Sequence, residues 1–370
     1  MKYRKLGNTG IDISALGFGT MRLPEKNGKI DTPEAVRIIR TAIDEGVNYL
    51  DTAYFYHNGE SEILVGKALG DGYRNKAYIA TKSPMYKIKS EDDFDKILDE
   101  QLKKLDVEHI DFYLLHAINL EKWNDTALRF DLGEKMLRAK KSGKIGHIGF
   151  SFHDNLDAFK TIVDGFDAWE FCQIQLNYID TQHQAGLEGL KYAADRGLGV
   201  IIMEPLLGGK LANPTDNMKK ILSPEKSPVL WAFDYLWNMP EVSFLLSGMS
   251  NMQQVCDNLE YARGARTNCL SQDDLKMLDK VRDVFLNSSL VPCTKCEYCM
   301  PCPFGLNIPS IFEAYNNTVA KSESFAKKQY DELETGADEC TACRKCEEVC
   351  PQNIKISGEM PKIAETFERV

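Results

Sequence analysis

The sequence predicts an α/β chain, a (β/α)8 TIM barrel followed by a small cysteine-dense domain. Two observations predict it. Short β-rich runs alternate with longer amphipathic stretches through the first 270 or so residues, and eight of the eleven cysteines fall between Cys293 and Cys350. Repeated βα units imply a parallel sheet, and eight of them within about 270 residues favour a closed barrel. The alternative is an open, doubly wound sheet. No G-x-G-x-x-G follows any of the runs, which weakens it.

The strand-like runs lie at 14–18, 48–52, 78–81, 110–115, 147–150, 171–175, 199–203 and 242–246. Helical patterns separate them. Thr32 is the expected cap of the first, with Pro33 at its first position, Val36, Ile39 and Ile43 on one face and Gly46 as its stop. Ser90 is the expected cap of another, in which Phe94, Ile97, Leu98, Leu102 and Leu105 recur at helical spacing. Pro228 opens a helix through Trp231, Tyr235 and Leu236. Ser271 caps 272–286, whose stripe is Leu275, Leu278, Val281 and Phe285. Asn287-Ser288-Ser289 then reads as a hinge, which divides the chain into 1–286 and 287–370.

Composition narrows the function. Hydrophobic residues make up 43% and charged residues 27% of the 370, which excludes wholesale disorder. A net charge of −10 with no basic stripe argues against nucleic acid. No apolar run approaches the ~18–20 residues of a membrane span, and no apolar segment follows the first five residues, so neither a membrane nor a secretory route is expected.

In such a barrel the chemistry sits where the strands end. The first polar residues at those ends are Asp51, Lys82, His116, Ser151, Gln175 with Asn177, and Glu204. One such residue is ordinarily a turn residue; six in register make a rim. Tyr56 follows Asp51 by five residues, so Asp51, Tyr56, Lys82 and His116 converge. An ammonium beside a tyrosine favours the phenolate, and Asp51 can hold that ammonium. Tyr56 could then give a proton to a carbonyl oxygen, and His116 could donate a hydrogen bond to the same oxygen. The hydride would come from a cofactor, because no side chain carries one.

Residues 1–285 resemble the aldo-keto reductases. The resemblance rests on Leu16-Gly17-Phe18-Gly19-Thr20-Met21, Asp51-Thr52-Ala53 with Tyr56, Gly59-Glu60-Ser61-Glu62, Thr81-Lys82, Leu114-Leu115-His116 and Gly146-His147-Ile148-Gly149-Phe150-Ser151. It implies a catalytic set of Tyr56, Lys82, Asp51 and His116, an extended nicotinamide cofactor, NAD(H) or NADP(H), and a small carbonyl or alcohol substrate. The implied cofactor-binding residues are Gly19, Thr20, Asp51, Ser151, Gln175, Met203, Pro205, Leu206, Gly208, Lys210, Gly248, Gln254 and Asn258, with Ser151 and Gln175 meeting the nicotinamide amide. The chain departs from the family pattern where Phe152 replaces an asparagine and Met203 an aromatic residue. Gly248 and Gln254 stand where NADP-preferring members bring a lysine and an arginine to the 2′-phosphate. Lys210 is either their replacement or a solvated lysine. The helix starting near Asn251 offers an N-terminus to the cofactor phosphates. Phe55, His57, Ile118, Trp123 and Phe152 either line the substrate pocket or pack the rim. His147 reads as structural, and Cys172, Cys256 and Cys269 as small core residues.

The tail carries two runs, Cys293-x2-Cys296-x2-Cys299-x2-Cys302-Pro303 and Cys340-x2-Cys343-x2-Cys346-x3-Cys350-Pro351. The second is the bacterial ferredoxin run for a [4Fe–4S] cluster, and the first is the same run with its last gap one residue shorter. Zinc knuckles are the alternative, but they would leave each third cysteine without a role. The tail resembles a two-cluster ferredoxin module with a spacer at 303–339, helical around 311–330. That resemblance implies two [4Fe–4S] clusters with exchanged fourth ligands: Cys293, Cys296, Cys299 and Cys350 for one, and Cys340, Cys343, Cys346 and Cys302 for the other. So many thiolates point to a reducing compartment, the cytoplasm. The clusters either relay electrons, with an electron-transfer protein as partner, or organise the tail. The alternative function is a nicotinamide-binding redox sensor or electron-transfer protein whose barrel does not turn over; the complete Asp-Tyr-Lys-His set argues against it.

Overall fold

The computed structural model describes residues 1–287 and 289–368; Ser288, in the expected hinge, lies outside them. The chain forms two compact units, Met1–Pro205 with Phe233–Leu270, and Leu206–Ala232 with Ser271–Val370.

The first unit holds a closed barrel of eight parallel strands in sequence order. They are β1 (Leu16–Gly19), β2 (Tyr49–Asp51), β3 (Tyr78–Ser83), β4 (Ile110–Ile118), β5 (Ile145–Phe152), β6 (Phe171–Gln175), β7 (Gly199–Met203) and β8 (Phe244–Gly248). The helices that follow them are α1 (Thr32–Asp44), α2 (Glu60–Leu69), α3 (Asp93–Leu105), α4 (Leu132–Lys141), α5 (Leu156–Asp164), α6 (Gly186–Asp195), α7 (Pro228–Trp237) and α8 (Met252–Arg263). A parallel register needs such a crossover between neighbouring strands, and each helix buries its apolar stripe.

The N-terminal end of the barrel is plugged. A hairpin pairs Tyr3–Lys5 with Asp12–Ser14, and its Leu6 and Ile13 are buried with Tyr49, Phe112, Phe171 and Phe244. The Tyr49 ring lies 5.2 Å from Phe112 and 4.6 Å from Phe244, tilted as quadrupolar rings prefer. With that end packed, the opposite rim is left for chemistry.

Two helix starts differ from expectation. Asp31, not Thr32, caps α1, its carboxylate accepting from Glu34 N at 3.4 Å. Both residues are good caps, and proline fits either of the next two positions, so the sequence does not choose between them. At α3 the roles reverse. The Asp93 carboxylate accepts from the backbone N–H of Lys89 and Ser90, at 2.8 and 2.7 Å, and Ser90 does not cap.

The second unit contains α9 (Gln272–Asn287), α10 (Ile308–Ala320), α11 (Glu323–Asp331) and α12 (Ile356–Phe367). Ser271 caps α9, exchanging bonds with Asp274. Of the expected stripe only Leu278 and Val281 are buried; Leu275 and Phe285 are half-buried. Val291, Leu306, Ile308, Ile311, Phe312, Tyr330, Met360 and Ile363 lie in a small core against which Cys293, Cys299, Cys302, Cys340, Cys346 and Cys350 pack. Gly208 also belongs to this unit. Its φ is +63°, and a Cβ there would stand 2.1 Å from the carbonyl oxygen of Thr294, so only glycine fits. Of the three scattered cysteines, Cys172 is buried, Cys269 is partly covered and Cys256 is exposed, contrary to a core role. No described helix is long and apolar enough to cross a membrane.

Candidate active site and cluster cysteines

The rim of the barrel unit is built on strand ends. Asp51 closes β2, Lys82 lies near the end of β3, and His116 lies near the end of β4. Lys82 Nζ donates to Asp51 Oδ1 at 2.5 Å and to the Thr52 carbonyl at 2.8 Å. The other Asp51 oxygen accepts from Gln173 Nε2 at 2.6 Å. Lys82 is 2% and Asp51 4% exposed, so this ion pair is held out of water. Burial pushes the Lys82 ammonium below the usual lysine range, and Asp51 opposes that shift.

Tyr56 begins the short kinked segment Tyr56–Gly59 after β2, in which His57 and Asn58 have positive φ. Its ring centroid lies 5.0 Å from Lys82 Nζ and 6.1 Å from the His116 ring. Phe55 stacks on His116 at 4.8 Å, with ring planes 7° apart. Burial and then the Lys82 charge hold the His116 imidazole well below its ordinary pKa. It is therefore neutral at neutral pH, a hydrogen-bond donor rather than an acid.

Behind these residues lies a buried polar layer. Glu62 Oε1 accepts from Thr81 Oγ1 and Gln101 Nε2, each at 2.6 Å, and Gln101 also donates to the Lys82 carbonyl at 3.1 Å. The Ser61 hydroxyl lies 2.8 Å from that of Thr20 and 2.9 Å from that of Thr52. The Gly59-Glu60-Ser61-Glu62 motif thus braces the ends of β1, β2 and β3.

The other expected site residues are spread over both units. Ser151 lies on β5 and its hydroxyl accepts from Ala117 N at 2.7 Å; Gln175 ends β6 and donates to Asp180 at 2.7 Å. Asn177 donates to the Glu204 carbonyl at 3.1 Å, and Met203 pairs with Gln175 where β7 and β6 end. Gly19 is in register with Asp51 and with Gly248, and Thr20 is fully buried with its hydroxyl bonded to the Asp51 carbonyl. Near the end of β8, Gln254 Oε1 accepts from Ser250 N at 2.8 Å, and Asn258 donates to Ser247 at 3.2 Å. Pro205 ends the first stretch of this unit, whereas Leu206, Gly208 and Lys210 belong to the second unit, where Lys210 Nζ lies 5.8 Å over the Phe285 ring.

Among the candidate pocket residues, Phe55 stands at the site. His57 instead pairs with Glu25 at 2.9 Å and accepts from Leu23 N, and Phe152 packs on Phe159 in the core. His147 is structural: it stacks on Phe112 and bonds Glu170 at 2.7 Å. Sequence reading missed Gln173 and Arg22. Gln173 was detectable, since it lies two residues before Gln175 and so on the same face of β6. Arg22 packs its stem against Gly248, with its Cβ 3.2 Å from where a glycine Cβ would sit, and nothing local announces a contact so distant in sequence.

In the second unit Cys293, Cys296, Cys299 and Cys350 line one small cavity of about 20 Å³, closed by Ile308, Pro309, Phe312, Ile354 and Ile356. Thr294, Glu297 and Gln352 complete the lining. Four soft sulfur donors at one cavity are the donor type a [4Fe–4S] cluster takes. Burial pushes the Cys299 thiol up to about 12 and the Cys293 thiol upward, with Cys350 adding to both shifts. Cys346, whose thiol burial pushes up to about 11, has Cys340 and Cys343 as electrostatic neighbours, and Cys343 is exposed.

Comparison with known proteins finds two matches along the chain: the aldo/keto reductase family at residues 15–283 and the 4Fe-4S dicluster domain at 289–354. L-galactose dehydrogenase of Arabidopsis thaliana is 26% identical over 318 residues, 78% of this chain and 96% of that protein. The 6-dehydroglucose reductase of Novosphingobium aromaticivorans is 27% identical over 276 residues, 70% of this chain and 87% of its own length. Among solved structures, the holo form of aldo-keto reductase AKR11C1 from Bacillus halodurans superposes with a TM-score of 0.65 at 24% identity, over 76% of this chain and 96% of that one. An aldo-keto reductase from Klebsiella pneumoniae in complex with NADPH gives 0.61 at 20% identity, over 76% and 95%. These two structural likenesses speak to the fold.

Proposed function

The chain belongs to the aldo/keto reductase family of oxidoreductases and carries a C-terminal 4Fe-4S dicluster domain, and we propose that its barrel moves hydride between a nicotinamide and a small carbonyl or alcohol. The observation that carries this reading is the buried Gln173–Asp51–Lys82 chain beside Tyr56 and His116. A bound nicotinamide, NAD(H) or NADP(H), supplies or takes the hydride at the substrate carbon. In reduction Tyr56 gives its hydroxyl proton to the carbonyl oxygen. Lys82, fixed by Asp51 and the Thr52 carbonyl, favours the phenolate left behind. Neutral His116 donates a hydrogen bond to the same oxygen, and Phe55 holds its ring in plane. Ser151 and Gln175 would hold the nicotinamide amide once Gln175 exchanges Asp180 for it.

We assign one [4Fe–4S] cluster to Cys293, Cys296, Cys299 and Cys350; the cavity these four line supports that set. The other is assigned to Cys340, Cys343, Cys346 and Cys302. The clusters organise residues 287–370, and 1–286 acts as the reductase. The exposed run 341–345 around Cys343 supports a second role, electron relay to a protein partner in the cytoplasm. A hydride carries two electrons and such a cluster exchanges one at a time, so relay is not assigned to the hydride step. The test is anaerobic iron and sulfide analysis together with NADH and NADPH oxidation against aldehydes, ketones and quinones. Carbonyl-dependent oxidation supports the reading; oxidation with quinones alone would favour the electron-transfer alternative.

A further inference from the structure

We infer that the substrate carries an anionic group close to its carbonyl and that Lys122 receives it; this rests on the reading of the barrel as a carbonyl reductase. Lys122 ends the short helix Leu120–Lys122 that follows β4, and Asn119 caps that helix, accepting from Lys122 N at 2.8 Å. Its Nζ donates to the Ala117 carbonyl at 2.8 Å, which fixes the ammonium one residue beyond His116. The backbone is shaped for this. The β4–β5 register shifts between Leu115 and Ile118, and Ala117 has a φ of +49°, which a side-chain-bearing residue rarely adopts. Strain of that kind collects at functional sites.

What the ammonium lacks is a counter-charge. Lys122 is half-buried, and burial lowers its pKa. Among the described residues no carboxylate pairs with it. Glu121 is exposed and acts on it only at a distance, and the Asp154 oxygens are taken up by Leu120 N at 2.9 Å and Asn155 N at 2.7 Å. Its other titratable neighbours are the buried His116 and the half-buried His153, both pushed toward the neutral form partly by Lys122 itself. The Nδ1 atoms of these two histidines have no hydrogen-bond partner among the described residues. A covered cation costs stability unless an anion joins it. Set beside a reaction centre, that unmet charge gives a ligand of the right sign its binding energy.

Two matched pairs of probes test this on the cluster-loaded enzyme: succinic semialdehyde against butanal, and glyceraldehyde 3-phosphate against glyceraldehyde. The expected kcat/KM favours at least one anionic member by about tenfold or more. Lys122→Met should remove most of that preference and Lys122→Arg should keep it. The pair that shows the preference distinguishes carboxylate from phosphate. Calorimetric binding of succinate and of inorganic phosphate reads the site without turnover, and Lys122→Met should weaken the anion that binds by at least tenfold. Equal kcat/KM for charged and neutral members, or equal anion binding by wild type and Lys122→Met, would overturn the inference. Turnover of butanal in either case would leave the carbonyl-reductase reading standing. Loss of nicotinamide affinity in Lys122→Met, with both members of each pair falling equally, would also overturn it.

Discussion

The two units hold their reactive groups by opposite means. In the barrel unit every bond that fixes Lys82 comes from protein: Asp51, the Thr52 carbonyl, and behind Asp51 the amide of Gln173. Strand ends supply these groups, and the strands are locked by a continuous ladder around the barrel. In the cysteine-rich unit helices surround a small core, and six partly covered cysteines pack against it. A core so small gains little from apolar burial alone, and metal ligation is the usual remedy. The contrast teaches that the candidate site in the barrel is preorganised by its fold, whereas the proposed clusters would make the sulfur unit depend on what its sulfurs bind.

Removing iron should separate the two most sharply. Anaerobic chelation is expected to open 287–370 to protease while a fragment spanning the barrel persists, with lost helical signal by circular dichroism. A chelated protein whose tail resists cleavage would contradict the contrast. Next in size is the loss of the proton donor. Tyr56→Phe should lower carbonyl reduction by about 10²–10⁴-fold with little change in nicotinamide binding. A drop below tenfold would remove Tyr56 from its role.

Gly208→Ala sharpens the comparison from the other side. The new methyl meets the Thr294 carbonyl at a positive φ, so the sulfur unit should lose about 1–3 kcal/mol. A lower melting transition for that unit, with the barrel transition unmoved, is the expected result. The smallest effect is in the barrel. Glu170 bonds His147, Lys140 and Ile148 N, and these partners hold its carboxyl at about 2, below the ordinary 4.5. A depressed carboxyl contributes fully above the unfolded value near 4.5, and the contribution is lost as pH falls toward 2. Glu170→Gln should therefore cost about 1 kcal/mol at pH 7 and progressively less on acidification from 4.5, measured by urea unfolding at each pH.

Much of this was legible in the sequence, for identifiable reasons. Asp51, Lys82 and His116 stood out because each is a polar residue in or closing an apolar run, and a parallel barrel gathers such positions on one rim. The cysteine spacing was legible because cluster ligation imposes it. The α1 cap was not, because Asp31 and Thr32 are both competent and tertiary packing chooses. Gln173 was passed over because a glutamine inside a strand looks like an interruption of the core rather than a clamp on Asp51. Neither the Arg22–Gly248 contact nor the approach of Gly208 to Thr294 leaves a local pattern, since each is made by the fold alone.

The central claim is that the barrel delivers hydride directly, with its own residues managing the proton. The most direct test is reduction of a carbonyl by nicotinamide deuterated at C4, under anaerobic conditions, with each C4 epimer used in turn. The account predicts that one epimer places its deuterium on the carbinol carbon of the product, and that Tyr56→Phe suppresses this product. Product free of deuterium with both epimers, formed at an undiminished rate, would show that the electrons arrive by another route and contradict the account.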